Sequence, residues 1–262
     1  MLMADLDGLK VHYSDEGDPL GHPVVLANSL GTDLRLWDKV VERLPKSLRI
    51  VRYDMRGHGL SEALEPPYSM GALVSDAEAL IDHLNIRDCV FVGLSIGGMV
   101  AQGLAVKRLD QVRAIVLSNT AAKIATVAEW QKRIDAVAEG GIEALADATM
   151  ERWFTRKFRE TPEVEAWRNI MVRQSVQGYV GCAAAIAGTD FYTTTAGLTL
   201  PTLAIAGSDD GSTPADLVRE TADLVKGSEF ALIKGAGHLP CVEKPAEYAD
   251  ILARFFKDIG HI

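Results

Sequence analysis

The sequence predicts an α/β fold: a mostly parallel β-sheet flanked by helices, interrupted by one inserted all-helical segment. Three observations predict it. Short β-branched runs alternate with helical patterns along most of the chain. The runs lack strict polar alternation, as strands covered on both faces should. The alternation stops near Thr120 and resumes at Pro201, and only helical patterns lie between.

Taken in order, Leu9–Tyr13 is expected as an antiparallel edge strand. Val24–Ala27 and Arg49–Tyr53 follow as core strands. Leu73, Ala77, Leu80, Ile81 and Leu84 repeat at helical spacing behind Ser69, a suitable N-cap. Cys89–Val106 is an uncharged run of 18 residues, long enough to suggest a membrane span. Its first half is strand-like, however, and its second half is rich in small residues. The run therefore reads as a buried strand, Cys89–Gly93, turning into a buried helix. Ala114–Ser118, Thr202–Ala206 and Glu229–Ile233 complete the strands. Tyr248, Ile251, Leu252, Phe255 and Phe256 form the last helical stripe, with Pro245 in its first turn. Alternation of this kind implies helices on both faces of the sheet. The helical block between strands holds three of the four tryptophans and is expected to cover one end of the sheet. The expected division is a core of residues 1–120 and 199–262 and a cap of 121–198.

Composition narrows the function. The chain has 262 residues, 48% of them apolar and 24% charged, which excludes a disordered chain. The net charge is −9, so nucleic acid and anionic membranes are not expected partners. The acidity is uneven: residues 121–200 carry 9 Lys and Arg against 10 Asp and Glu. Three scattered cysteines, Cys89, Cys182 and Cys241, fit neither a disulfide framework nor a zinc site. The first residues carry acids and no apolar stretch, so they do not read as a signal peptide, and a cytoplasmic location is expected. No P-loop, dinucleotide fingerprint or zinc-helix motif is present, so no cofactor and no metal is expected.

Gly93-Leu94-Ser95-Ile96-Gly97 matches G-x-S-x-G, and it stands where that motif requires, between a strand and a small-residue helix. A serine in so sharp a turn projects its hydroxyl from the sheet. It still needs a base, and the base needs an orienting acid. His238, in a glycine-rich loop after the last strand, is the expected base. The acid should follow the preceding strand, where Asp210, four residues before Pro214, is preferred to Asp209, which suits the turn backbone. The oxyanion donors are expected to be the Ile96 N–H, at the helix start, and the Leu30 N–H, in the loop after Val24–Ala27. Ser29 is a further candidate there. The Asp54–Ser61 turn, with His58, is expected to be structural, packing near the oxyanion loop. His12, His22, His83 and His261 are expected at the surface.

Together these residues resemble the α/β-hydrolase superfamily over essentially the whole chain. Asn28–Asp33 ahead of Trp37, Tyr53–Gly59, Ser118–Ile124, Glu151–Phe154 and Gly178–Ala184 resemble the 3-oxoadipate enol-lactonase family of the β-ketoadipate pathway more narrowly. The resemblance implies a Ser95–His238–Asp210 triad that opens a small anionic lactone through an acyl-enzyme. A carboxylate on that substrate calls for a cation against the general field. Arg133, beside Trp130 on one cap helix, is the expected partner. The same triad would serve a broader carboxylesterase or a cofactor-free perhydrolase. A ligand sensor would show a damaged triad, and dehalogenases and epoxide hydrolases of this frame place Asp where Ser95 stands.

Overall fold

The computed structural model describes residues 1–262. Eight strands form one sheet: β1 (Leu2–Leu6), β2 (Leu9–Gly17), β3 (Pro23–Ala27), β4 (Arg49–Tyr53), β5 (Cys89–Leu94), β6 (Val112–Ser118), β7 (Thr202–Gly207) and β8 (Glu229–Ile233). Their spatial order is β1-β2-β4-β3-β5-β6-β7-β8. β2 runs antiparallel to β1 and β4, and every other pairing is parallel. Every residue of β5 and β7 is buried, which explains why these runs carry no polar alternation.

The helices are α1 (Asp38–Val41), α2 (Met70–His83), α3 (Ile96–Lys107), α4 (Val127–Gly140), α5 (Glu143–Trp153), α6 (Arg156–Arg159), α7 (Glu163–Val172), α8 (Val176–Ala187), α9 (Tyr192–Ala196), α10 (Ala215–Asp223), α11 (Pro240–Glu243) and α12 (Pro245–Asp258). Ser69 caps α2 by accepting the Ala72 N–H at 3.1 Å. The uncharged run resolves into β5 followed by α3, and no helix is long and apolar enough to cross a membrane. Helices α4 to α9 all lie between β6 and β7. Thr126 opens this stretch with a reciprocal capping box to Glu129.

The chain steps from β3 to β4 on one side and then to β5 on the other side of β3. Strand order reverses there, so the loops leaving β3 and β5 diverge and open a crevice at their carboxyl ends. That crevice receives the Asn28–Asp33 loop and Ser95.

Three expectations are corrected. Leu9–Tyr13 is not an edge, because β1 pairs outside it. Only Ala4 and Leu6 of β1 face inward, so its pattern is weak, but Leu6 and Leu9 are joined by Asp7-Gly8, both at positive φ. Asp-Gly at such a turn is a strong hairpin signal. His12 is half-buried, with Nδ1 2.7 Å from Asp54 Oδ2. His261 is fully buried, with Nε2 3.2 Å from Pro23 O. His22 and His83 are exposed.

Burial, with the charges of Arg113 and His22 nearby, pushes His261 down to about 4. An unfolded histidine titrates near ~6.5, so on acidification the unfolded chain takes up the proton first. His261 therefore leaves stability undiminished above about pH 6.5 and erodes it as pH falls toward 4. His261→Phe removes this proton. Thermal melts between pH 7 and pH 4.5 should show a smaller loss of Tm in the variant than in the wild type; parallel losses would contradict the assignment.

Candidate active site

Ser95 sits at the β5–α3 junction with φ 58° and ψ −117°, a strained conformation for a residue with a side chain. The strain is held by the backbone around it. Ser95 N–H donates to Ser118 O at 2.9 Å, and Thr120 Oγ–H donates to Ser95 O at 2.6 Å. The two flanking glycines answer a close approach. A Cβ on Gly93 would lie 2.0 Å from Gly97 O, and one on Gly97 would lie 2.4 Å from Ala27 O. No other residue fits this turn without moving β3 or α3.

His238 and Asp210 meet across the ends of β8 and β7. His238 Nδ1 lies 3.0 and 2.9 Å from the two Asp210 oxygens. A carboxylate only accepts, so Nδ1 carries a proton toward Asp210, and in the neutral form of the ring the lone pair is on Nε2. Asp210 also accepts from Ser212 N–H, Thr213 N–H, Thr213 Oγ–H and Asn119 Nδ2–H at 2.7 to 3.0 Å. Burial pushes this carboxyl up, but the His238 charge and hydrogen bond, with help from Asn119 and Thr213, hold it below the ordinary carboxylate range. Asp209 is exposed and serves the turn, where it accepts from Ser208 Oγ–H. Ser95 and His238 line one cavity, with no direct hydrogen bond between Ser95 Oγ and the imidazole. Such contacts often tighten only when substrate binds.

The loop after β3 forms another wall, with Ser29 and Leu30 lining the same cavity. The Leu30 N–H donates to no backbone carbonyl, and the Ile96 N–H, first in α3, has no intrahelical acceptor. The loop is pinned from behind. Asn28 Nδ2–H donates to Tyr53 O at 2.8 Å and Asn28 Oδ1 accepts the Trp37 indole N–H at 2.9 Å. His58 Nε2 accepts the Gly31 N–H at 3.0 Å, and burial pushes that imidazole's pKa down, keeping it neutral. His58 is thus a support of the loop.

The remaining wall comes from the segment between β6 and β7: Ile124 and Ala125 of the loop before α4, and Trp130, Arg133, Thr149, Arg152, Trp153 and Tyr179 of its helices. No Asp or Glu lines the cavity. Arg133 stacks on Trp130, 4.5 Å from the ring centroid. Arg152 donates to Thr149 Oγ1 at 2.8 Å. Neither guanidinium has a carboxylate partner, although most other arginines of the protein do. Burial and the neighbouring Arg133 push the Arg152 pKa down. Two cations therefore face one acid-free cavity.

The structure brings Ser29, Leu30, Ser95, Trp130, Arg133 and His238 to one cavity and places Asp210 behind His238. Sequence reasoning did not single out Asn119 or Arg152. Asn119 follows β6 immediately, at the sheet end where the other candidates gather, and that position was the available signal. Arg152 is one of six basic residues between 151 and 173, and its place in Glu151–Phe154, a stretch of family resemblance that contains none of the other five, was the available signal.

A model of the alpha/beta hydrolase family matches residues 24–251. The chain belongs to that family. 3-Oxoadipate enol-lactonase 1 of Acinetobacter baylyi is 34% identical over 261 residues, covering 99% of this chain and 97% of that protein. 3-Oxoadipate enol-lactonase 2 of the same organism is 32% identical over 240 residues, covering 91% and 90%. The crystal structure of the enol-lactonase from Burkholderia xenovorans LB400 superposes with a TM-score of 0.94 at 33% identity, over 98% of this chain and 100% of that one. This α/β hydrolase is thus similar to enol-lactonases over nearly its whole length.

Asn119→Ala removes one hydrogen bond to the charged Asp210, an interaction of roughly 1.5–3 kcal/mol. In this hydrolase the substitution should lower kcat about tenfold or more while changing KM little. Steady-state kinetics at neutral pH checks it, and an unchanged kcat would contradict the role.

Proposed function

We propose that this hydrolase opens 3-oxoadipate enol-lactone to 3-oxoadipate, a ring-opening step of the β-ketoadipate pathway of aromatic breakdown. One observation carries the reading: an acid-free cavity in which Ser95 and His238 face two unpaired arginines. The enol-lactonases that match along nearly the full chain support it independently.

In this mechanism His238 Nε2 takes the Ser95 proton as Oγ attacks the lactone carbonyl. The developing oxyanion accepts from the Leu30 and Ile96 N–H groups. Asp210 fixes the imidazole tautomer and stabilises its cation. The tetrahedral intermediate collapses, the ring C–O bond breaks, and His238 passes its proton to the leaving enol oxygen. The leaving enol oxygen stays tethered to the acyl chain, and its tautomerisation to a ketone eases departure. Water, deprotonated by His238, then attacks the acyl-enzyme, and the bond to Ser95 Oγ breaks as Oγ takes that proton back, releasing the dicarboxylate.

The free carboxylate of the lactone binds Arg133 and Arg152, and Trp130 holds Arg133 in place. Residues 121–198 act as a cap that supplies these cations while the remainder supplies the chemistry. Ser29 lies beside the oxyanion position, where its hydroxyl adds a donor. Three free, buried cysteines fit a reducing compartment, which supports placing the reaction in the cytoplasm.

The test is a spectrophotometric assay for loss of the enol-lactone. Ser95→Ala should reduce kcat by at least ~10³-fold, and retention of activity would reject the nucleophile. Arg133→Ala and Arg152→Ala should each raise KM for the lactone about tenfold or more, as loss of a charge-assisted contact requires. KM for a short neutral p-nitrophenyl ester should move far less. Equal effects on both substrates would reject the carboxylate site, and faster turnover of the neutral ester by the wild type would favour a broad carboxylesterase.

A further inference from the structure

One short stretch, residues 152–155, touches both loops that carry the candidate acid and base. Arg152 O accepts the Gly211 N–H at 3.2 Å, one residue beyond Asp210. Trp153 O accepts the N–H of His238 itself at 2.8 Å. The backbones are so close that a Cβ on Gly237 would lie 2.4 Å from Trp153 O. The side chains of Arg152 and Trp153 meanwhile line the cavity. The backbone that presents a substrate contact is therefore the backbone against which the triad loops rest.

Glu243, at the end of α11, fastens this junction. One oxygen, Oε1, accepts the Gly237 N–H at 2.7 Å. The other, Oε2, accepts the Thr155 Oγ–H at 2.6 Å and the Thr155 N–H at 3.2 Å. The carboxylate is half-buried and pairs with no lysine or arginine. Such a group loses hydration that only directed N–H and O–H donors replace. Its donors come from two segments that meet nowhere in sequence: the histidine loop and the start of α6. Directional, charge-assisted bonds fix that meeting within fractions of an ångström. A misplacement of ~1 Å at a reacting centre costs about 10²-fold in rate.

We propose that Glu243 is a positioning residue that sets the spacing between Arg152 and the His238–Ser95 end of the cavity, and so governs recognition of the anionic substrate as well as turnover. The proposal rests on the reading that Ser95 attacks the lactone and that Arg152 holds its carboxylate.

The experiment compares Glu243→Ala, Glu243→Gln and Thr155→Val with the wild type, on the enol-lactone and on p-nitrophenyl acetate. Glu243→Ala should lower kcat on both substrates about tenfold. It should also raise KM for the lactone about tenfold, while KM for the neutral ester stays within about twofold. Glu243→Gln keeps one oxygen acceptor and the volume, and should recover part of both losses. Thr155→Val, which loosens only the α6 side, should raise KM for the lactone more than KM for the ester. If Glu243→Ala does not fold, the Gln and Val variants carry the test. Unchanged parameters, or losses by the same factor in every parameter for both substrates, would overturn the proposal. Ser95→Ala, run alongside, separates the two readings. Residual lactonase activity there defeats the nucleophile assignment, whereas full dependence on Ser95 with indifferent Glu243 variants defeats the positioning role alone.

Discussion

The strained turn at Ser95 is the constraint on which the rest depends. A side chain at φ 58° and ψ −117° carries a cost of ~1–3 kcal/mol that only surrounding structure can hold. Here it is held by hydrogen bonds from Ser95 N–H to the end of β6 and from Thr120 to Ser95 O. Glycines let β3 and α3 close in from both sides. The turn fixes the hydroxyl at the point where strand order reverses. The loops after β3, β7 and β8 then need only reach a common point, and each is pinned there: Asn28 and His58 hold the first, Asn119 and Thr213 hold Asp210, and Trp153 with Glu243 holds the last.

Charge supplies the second level of organisation. The protein is acidic overall, at net −9, yet the cavity of its candidate site is lined by two unpaired guanidinium groups and no acid. Holding two like charges together without partners is unfavourable for folding, since burial and mutual repulsion both oppose it. Arg152 registers this in its depressed pKa. An anionic ligand relieves the repulsion on binding, so the energy withheld from stability is returned as affinity. Stacking on Trp130 restrains Arg133, so an ionic contact made there would cost little further entropy.

Much of the frame was legible in the sequence because it is periodic or punctuated. Fully buried β5 and β7 announce themselves as uninterrupted apolar runs, and Ser69, Pro245 and the glycines around Ser95 mark where elements begin. The order Ser95, Asp210, His238 is readable because each residue follows a strand and must emerge at the same end of the sheet. Features that depend on meetings across the chain left no comparable trace. Arg152 lies in the Glu151–Phe154 stretch of family resemblance, but that it lines the cavity depends on packing that its local pattern does not show. His12 and His261 have no periodic signature, and their burial depends on Asp54 and Pro23, distant in sequence. β1 was missed because only two of its residues face the core, although Asp7-Gly8 signalled the hairpin.

The most direct measurement of the central claim is covalent trapping. The protein is incubated with a fluorophosphonate, digested, and mapped by mass spectrometry. Attachment of one phosphonyl group at Ser95, abolished by His238→Ala, is the predicted result. Labelling at any other residue, or labelling of Ser95 that persists without His238, would contradict the account.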